Sequence, residues 1–275
     1  MTVINTNSAA MRAQNGSRLA NQQLSTAMAR LSSGSRINTA SDDAAGLAVS
    51  NSMASQISGM NQAVRNANDG ISLAQTADGA LSEVTNNLQR IRELAVQSAS
   101  GTYSDADRTN MQAEVTQLQN QITNIMSDTK FNGTALFSTT ADTSTNIQTG
   151  ASAGQTVTID VGKLDAVGAA LTLKVDTSAD ANTALAATGG LDDALKQVDT
   201  VRAGLGASES QLSSVVNNLT SEVNNLTDAK SRIADADFSV ETTNLAKAQI
   251  LNQASTAMLA QANQSQQGVL KLLGQ

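Results

Sequence analysis

Apolar residues return every three or four positions between Met53 and Ala95: Met53, Ile57, Met60, Val64, Ala67, Ile71, Ala74, Ala77, Leu81, Val84, Leu88, Ile91 and Ala95. That spacing keeps the side chains on one helical face. At 1.5 Å per residue it predicts a helix on the order of 60 Å long. Steps of four and three alternate except at Ile71–Ala74–Ala77, where two short steps follow each other and the stripe slips phase, a change that alters coiled-coil winding. Asp69-Gly70 and Asp78-Gly79 flank the slip and are read as a bend. A second helix is expected from about Ser104, with Asp107 three residues on as a capping box. Met111, Val115, Leu118, Ile122 and Ile125 give its apolar face.

Asn132-Gly133 is a turn signal, and beyond it the texture changes. Residues 138–190 are rich in Thr, Ser, Ala, Asp and Gly. Val157, Ile159 and Val161 alternate with polar residues, as do Leu171, Leu173 and Val175. Period two with β-branched residues predicts short half-buried strands, paired as hairpins. Helical spacing resumes at Leu191, Leu195 and Val198 and runs through Leu205, Leu212, Val216, Leu219, Val223, Leu226 and Ile233. The two ends are alike. One carries Val3, Ala10, Ala13, Ala20, Leu24, Ala27 and Leu31, the other Leu245, Ala248, Leu251, Met258, Ala262, Val269 and Leu272. The predicted fold is mostly α with a small β region: a long antiparallel, coiled-coil-like helical rod from the N- and C-terminal halves, with short β-hairpins in the middle.

Composition narrows the chemistry. Among 275 residues there is no Cys, His, Trp or Pro, one Tyr and three Phe. Disulfides, thiolate nucleophiles, imidazole bases and His- or Cys-ligated metals are excluded, and Ser-His-acid and Cys-His catalysis go with them. Asp42-Asp43, Asp192-Asp193 and Asp235/Asp237 read as caps and turns rather than calcium sites, since no EF-hand spacing is present. Gly204-Leu205-Gly206 lacks the third glycine of a dinucleotide loop. The reading is a protein that is not an enzyme and takes no cofactor and no metal. A net charge of −7 with no basic patch argues against nucleic acid. No apolar run long enough to span a bilayer is present, so membrane insertion is not expected.

A chain so poor in aromatics must bury narrow seams of Ala, Leu, Ile, Val and Met rather than a thick core. Arg12, Arg18, Arg30 and Arg36 precede the first acidic residue, Asp42, which fits the description of a transit peptide. The matching C-terminal segment argues instead for a structural pair. Neither Ala-rich end offers enough apolar surface by itself to offset backbone ordering. Both ends are therefore expected to be loose in the monomer and to order on assembly with other copies. Val3, Ala10, Leu24, Leu31, Leu245, Leu251, Met258 and Leu272 are the candidate self-assembly residues.

Leu31 to Ala48, LSSGSRINTASDDAAGLA, closely resembles the segment joining terminal and rod regions in bacterial flagellins. INTN at Ile4–Asn7, LQRIRELAVQSA at Leu88–Ala99, FNG at Phe131–Gly133 and the ending QANQ…VLKLLGQ are similar to that family too. The resemblance covers roughly residues 1–140 and 191–275; Gln266 departs from it, standing where many members have Pro. It implies the structural subunit of the flagellar filament, exported unfolded by the flagellar type III pathway, extracellular, and compact, with little or no outer domain.

The implied organisation is an N-terminal inner-tube helix (1–36), a connecting segment (37–52) and N-terminal rod helices (53–137). A variable strand-rich region (138–190), a C-terminal rod helix (191–236) and a C-terminal inner-tube helix (237–275) follow. The implied partners are other subunits in a homopolymer, an export chaperone, the filament cap protein and hook-associated junction proteins. Gln89, Arg90, Leu94 and Glu114 match flagellin positions associated with vertebrate Toll-like receptor 5. A packing role for Leu94 and pairing along two helices for the others is the alternative. A hook–filament junction protein is the nearest competing function. An enzymatic flagellin would need His-Glu-x-x-His, which a His-free chain lacks.

Overall fold

The computed structural model describes residues 6–186 and 188–273. Its elements are, in order, α1 (Ser8–Ser33), α2 (Ala44–Ala99), α3 (Asp105–Asp128), β1 (Lys130–Phe131), β2 (Thr134–Ala135), β3 (Ser144–Gln148), β4 (Thr156–Asp160), α4 (Asp165–Ala170), α5 (Ser178–Ala184), α6 (Leu191–Ala234) and α7 (Phe238–Leu273). The protein is mostly helical, with two small antiparallel strand pairs. It divides into two compact units, Met1–Ser55 with Asn225–Gln275, and Gln56–Asn224.

The unit Gln56–Asn224 holds the continuous core. Leu81, Leu88, Ile91, Val115, Ile122, Leu191, Leu205 and Leu212 are essentially inaccessible to solvent. α2 and α6 run antiparallel, as shown by Arg92 Nε to Asp192 Oδ1 at 2.8 Å and Arg202 Nε to Asp78 Oδ1 at 2.8 Å. α3 folds back on α2. The expected capping box is present, with Ser104 accepting from the Asp107 N–H and the Asp107 carboxylate accepting from the Ser104 N–H. The buried Arg108 ties the turn by donating from Nη2 to the carbonyls of Ser100 at 3.0 Å and Tyr103 at 3.1 Å. Asn132 and Gly133, at φ 50° and 81°, form the two-residue turn between β1 and β2, the left-handed pair that matches strand twist.

At three places the structure adds to or corrects these expectations. The first concerns the slip in the α2 stripe, which does not break the helix. Gly70 is buried there, and a Cβ on it would lie 2.9 Å from Ile147 Cγ1 and 3.2 Å from Leu212 Cδ1. The glycine admits the β3–β4 hairpin and α6 at close range, and α2 continues through it. Gly59 does the same for Ala151, whose Cβ would be 2.9 Å away.

The second concerns Leu171, Leu173 and Val175, which form no strand. Local turns take the Leu171 and Leu173 N–H groups, onto the Val167 and Ala170 carbonyls, and side chains of the long helices take several of the other backbone groups. Gln119 Nε2 donates to the Ala170 and Leu173 carbonyls at 3.1 and 2.8 Å, Gln112 Oε1 accepts from the Val175 N–H at 2.6 Å, and Ser98 Oγ donates to the Val175 carbonyl at 2.5 Å. With its donors and acceptors placed, the segment needs no ladder partner. The third is that the middle region carries two short helices, α4 and α5, beside its single long hairpin. Leu164, Val167 and Ala170 recur at the helical interval of three, and all are buried.

Candidate self-assembly surface

The segment from Leu31 to Ala48 lies within the unit Met1–Ser55 with Asn225–Gln275, and its residue types follow from local demands. Gly34 closes α1 in the left-handed conformation, φ 71°, with its N–H on the Arg30 carbonyl at 2.9 Å, the glycine C-cap arrangement. Ser35 pairs with Asp235 as an isolated antiparallel bridge. Arg36 donates from its N–H to Ala234 O and from Nη2 to Ile233 O, both at 2.6 Å, so its backbone and its guanidinium each cap one of the last two carbonyls of α6. Ile37 is buried.

The Asp42 carboxylate accepts from the N–H groups of Asn38 and Thr39 at 3.0 and 2.9 Å. These bonds hold it below the usual carboxylate range, Thr39 contributing most. Asp43 accepts from the Gly46 N–H at 2.8 Å and caps α2. A Cβ at Gly46 would meet Asp43 Oδ2 at 2.4 Å and Ile37 Cδ1 at 2.8 Å, so a larger residue there would push both side chains aside, the capping carboxylate among them. Helix α2 therefore starts at Ala44, well before Met53 where its regular stripe begins.

In the same unit α1 and α7 pack antiparallel. Asn7 caps α1 through its Oδ1 and donates from Nδ2 to Ala262 O at 3.1 Å. A Cβ at Gly16 would sit 3.1 Å from Ser255 Oγ. Asn252 donates to Asn21, and Arg30 faces the buried Glu241 at 3.8 Å. The seam is thin: among the described residues, Ala20, Ala27 and Ala248 are its buried apolar side chains.

The candidate assembly residues divide on this framework. Ala10, Leu24, Leu31 and Leu245 are half-buried, whereas Leu251 and Met258 are exposed. Val3 and the side chain of Leu272 lie outside the described residues. A further set of exposed apolar side chains was not picked out by the stripes: Met11, Leu19, Met28, Phe238, Val240 and Ile250. At about 100° per residue, Leu19 and Met28 lie on opposite flanks of the Ala20–Ala27 seam and Met11 on the far side. On α7, Val240, Leu251 and Met258 share one flank, Phe238 takes the other, and Ile250 points away from the seam. The legible signal was their being out of phase with the stripe, because a helix apolar all round is one that is buried all round.

In the other unit, Arg90 binds Glu114 Oε1 through Nε and Nη2, both at 2.9 Å, and Glu93 through Nη1 at 2.9 Å. Glu93 and then Glu114 raise the guanidinium pKa. Gln89 is exposed beside them, while Leu94 is buried in the core. The structure thus brings Arg90 and Glu114 together across α2 and α3 and places Leu94 inward. Among the described residues no cluster of three or more Asp or Glu is arranged to hold a metal ion. No described helix is long and apolar enough to cross a membrane.

Two long terminal helices, a glycine-and-aspartate joint and a core of paired long helices define a class of protein, and comparison with known proteins gives it a name. Residues 4–142 match the family model of the bacterial flagellin N-terminal helical region, and residues 188–273 that of the bacterial flagellin C-terminal helical region. The chain is 44% identical over 271 residues to a flagellin of Halalkalibacterium halodurans, covering 98% of this chain and 99% of that protein. It is 43% identical to the flagellar filament 33 kDa core protein of Treponema phagedenis, over 98% and 99% of the two chains. The crystal structure of Bacillus cereus flagellin superposes with a TM-score of 0.51 at 32% identity, covering 60% of this chain and 94% of that one. The chain belongs to the bacterial flagellin family.

Proposed function

We infer that this chain is the structural subunit of a bacterial flagellar filament, polymerising with copies of itself into the helical fibre that drives swimming. The observation that carries this, beyond the family itself, is the distribution of apolar side chains on α1 and α7. Among the described residues the fully buried apolar side chains of the two helices are alanines, while α1 leaves Met11, Leu19 and Met28 exposed and α7 leaves Phe238, Val240, Ile250, Leu251 and Met258 exposed. Surface of that kind is completed by several neighbours at once. A heterologous contact that does not close generates an open helical filament. The role is structural rather than catalytic.

The subunit leaves the cell unfolded through the flagellar type III pathway, guarded by an export chaperone. It is added beneath the cap protein and joins the hook through junction proteins. A Cys-free chain suits that route, since it forms no crosslinks while extended. Gln89, Arg90, Leu94 and Glu114 serve secondarily as a Toll-like receptor 5 epitope, with Leu94 acting by packing and the Arg90–Glu114 pair by direct contact. Purified monomer added to short filament seeds is expected to give fibres micrometres long in electron micrographs. Short, non-elongating rings would favour the hook–filament junction role and overturn the filament reading.

A further inference from the structure

The chain has eight methionines and no cysteine, so thioether sulfur is the only sulfur an oxidant meets. All but Met1 lie among the described residues, and they separate sharply. Met11 and Met28 are each 58% exposed and Met258 is 63% exposed, and all three lie on α1 or α7. Met60, Met111 and Met126 are buried, and Met53 is half-buried. Met11, Met28 and Met258 also lie off the Ala20–Ala27–Ala248 seam, on the faces left without a partner inside the chain.

We propose that Met11, Met28 and Met258 are three separate peroxide-sensitive positions whose oxidation decides whether a free subunit can join the polymer, an inference that rests on the filament reading above. The sulfur lone pair attacks one peroxide oxygen. The S–O bond forms as the O–O bond breaks, and the departing hydroxide takes the proton of the transferred hydroxyl and leaves as water. Sulfur is oxidised by two electrons to the sulfoxide and the peroxide is reduced. In the monomer the new S=O group stays hydrated and disturbs little. Carried into an apolar contact between subunits, it becomes a strong acceptor without a donor, which opposes burial. Once a subunit is assembled the same sulfurs are covered, so oxidation discriminates against free chains and spares finished polymer. The change is reversible, because methionine sulfoxide reductases restore the thioether.

The test treats folded monomer with hydrogen peroxide, maps sulfoxide by peptide mass and adds the product to filament seeds. Sulfoxide is expected first at Met11, Met28 and Met258, with a roughly tenfold rise in the monomer concentration needed for growth, equivalent to about 1.4 kcal/mol. The paired reductases should return growth to the untreated rate. A Met11→Leu/Met28→Leu/Met258→Leu chain should grow equally with and without peroxide. Normal growth of monomer oxidised at all three positions would overturn the proposal, as would sulfoxide appearing first at Met60, Met111 and Met126. Continued peroxide sensitivity of the triple variant would do the same. Should the triple variant not assemble untreated, the reductase arm still decides. Failure of untreated wild-type monomer to extend seeds would instead sink the filament reading, so the two failures are told apart.

Discussion

Replacing Ile250 with Ser separates assembly from folding. Ile250 sits on α7 with 65% of its surface exposed, opposite the seam with α1. The substitution therefore removes almost nothing from the monomer, and Ile and Ser have similar helix propensities. Full burial of an isoleucine is worth about 1.5–3 kcal/mol. With roughly two-thirds of the side chain still available to a neighbour, the contact is worth about 1–2 kcal/mol. At about 1.4 kcal/mol per factor of ten, the critical concentration for polymerisation should rise roughly 5- to 30-fold. The assay is sedimentation of polymer from a dilution series, with circular-dichroism melting of monomer as the control. An unchanged critical concentration would refute the claim that the outward faces of α7 are covered in the polymer. A large drop in monomer melting temperature would refute the placement of Ile250 outside the chain's own packing.

Four further outcomes follow from the same structure. Leu88→Ala, at a position with 0% exposure, should destabilise the monomer by about 2–5 kcal/mol, read from urea unfolding, and should lower assembly only through the loss of folded chains. Gly34→Ala places a Cβ in open space but forces it to φ 71°; a cost of about 1–2 kcal/mol should appear in the melting temperature. Arg90→Ala removes ion pairs whose side chains are about half exposed, so monomer stability should barely change, solvent screening such pairs, while activation of Toll-like receptor 5 by monomer falls; unchanged activation would remove Arg90 from the receptor site. The Asp165 carboxyl is lowered from 3.8 to about 2, first by the Gln197 amide and then by Lys163. Its folded pKa is depressed, so its contribution is full above about pH 4 and is lost as pH falls toward 2; Asp165→Asn should flatten the pH dependence of unfolding in that window.

Much of the fold was legible because it is local. The stripe of α2, the Ser104–Asp107 box and the Asn132-Gly133 turn each state their geometry within a few residues. What was hidden depends on distant partners. The alternation at Leu171, Leu173 and Val175 reads as a strand until Gln112, Gln119 and Ser98 are seen occupying the backbone groups that a ladder would use. Nothing near Gly70 in the sequence announces that Ile147 and Leu212 lie against it. The assembly residues show the same limit. A seam can be counted from spacing, but whether it closes inside the chain or between chains depends on a second helix more than two hundred positions away. Ala10, Leu24, Leu31 and Leu245 are half-buried within the chain, whereas Leu251 and Met258 remain open.

The two units use apolar residues in opposite ways, and that contrast explains how one chain can be both a stable monomer and a polymer subunit. Every member of the continuous core, from Ala67 to Leu212, belongs to the unit Gln56–Asn224, where Leu, Ile and Val are fully enclosed. In the other unit the buried apolar residues among those described are four alanines and Ile37, while Met11, Leu19, Met28, Phe238 and Ile250 are left outside. Exchanging the two arrangements would be self-defeating. Large residues on the α1–α7 seam would hold those helices apart and bury their apolar surface inside the chain, leaving nothing to drive association. Alanines in the larger unit would leave the monomer without a core. Small residues inside and large ones outside make α1 and α7 a thin pair whose burial is finished only by other molecules, since apolar area gains most when it is removed from water. The joint from Gly34 to Gly46 is built of helix caps. It ends α1, caps α6 with Arg36 and starts α2 with Asp43, so that each helix has its terminal groups satisfied before any neighbour arrives.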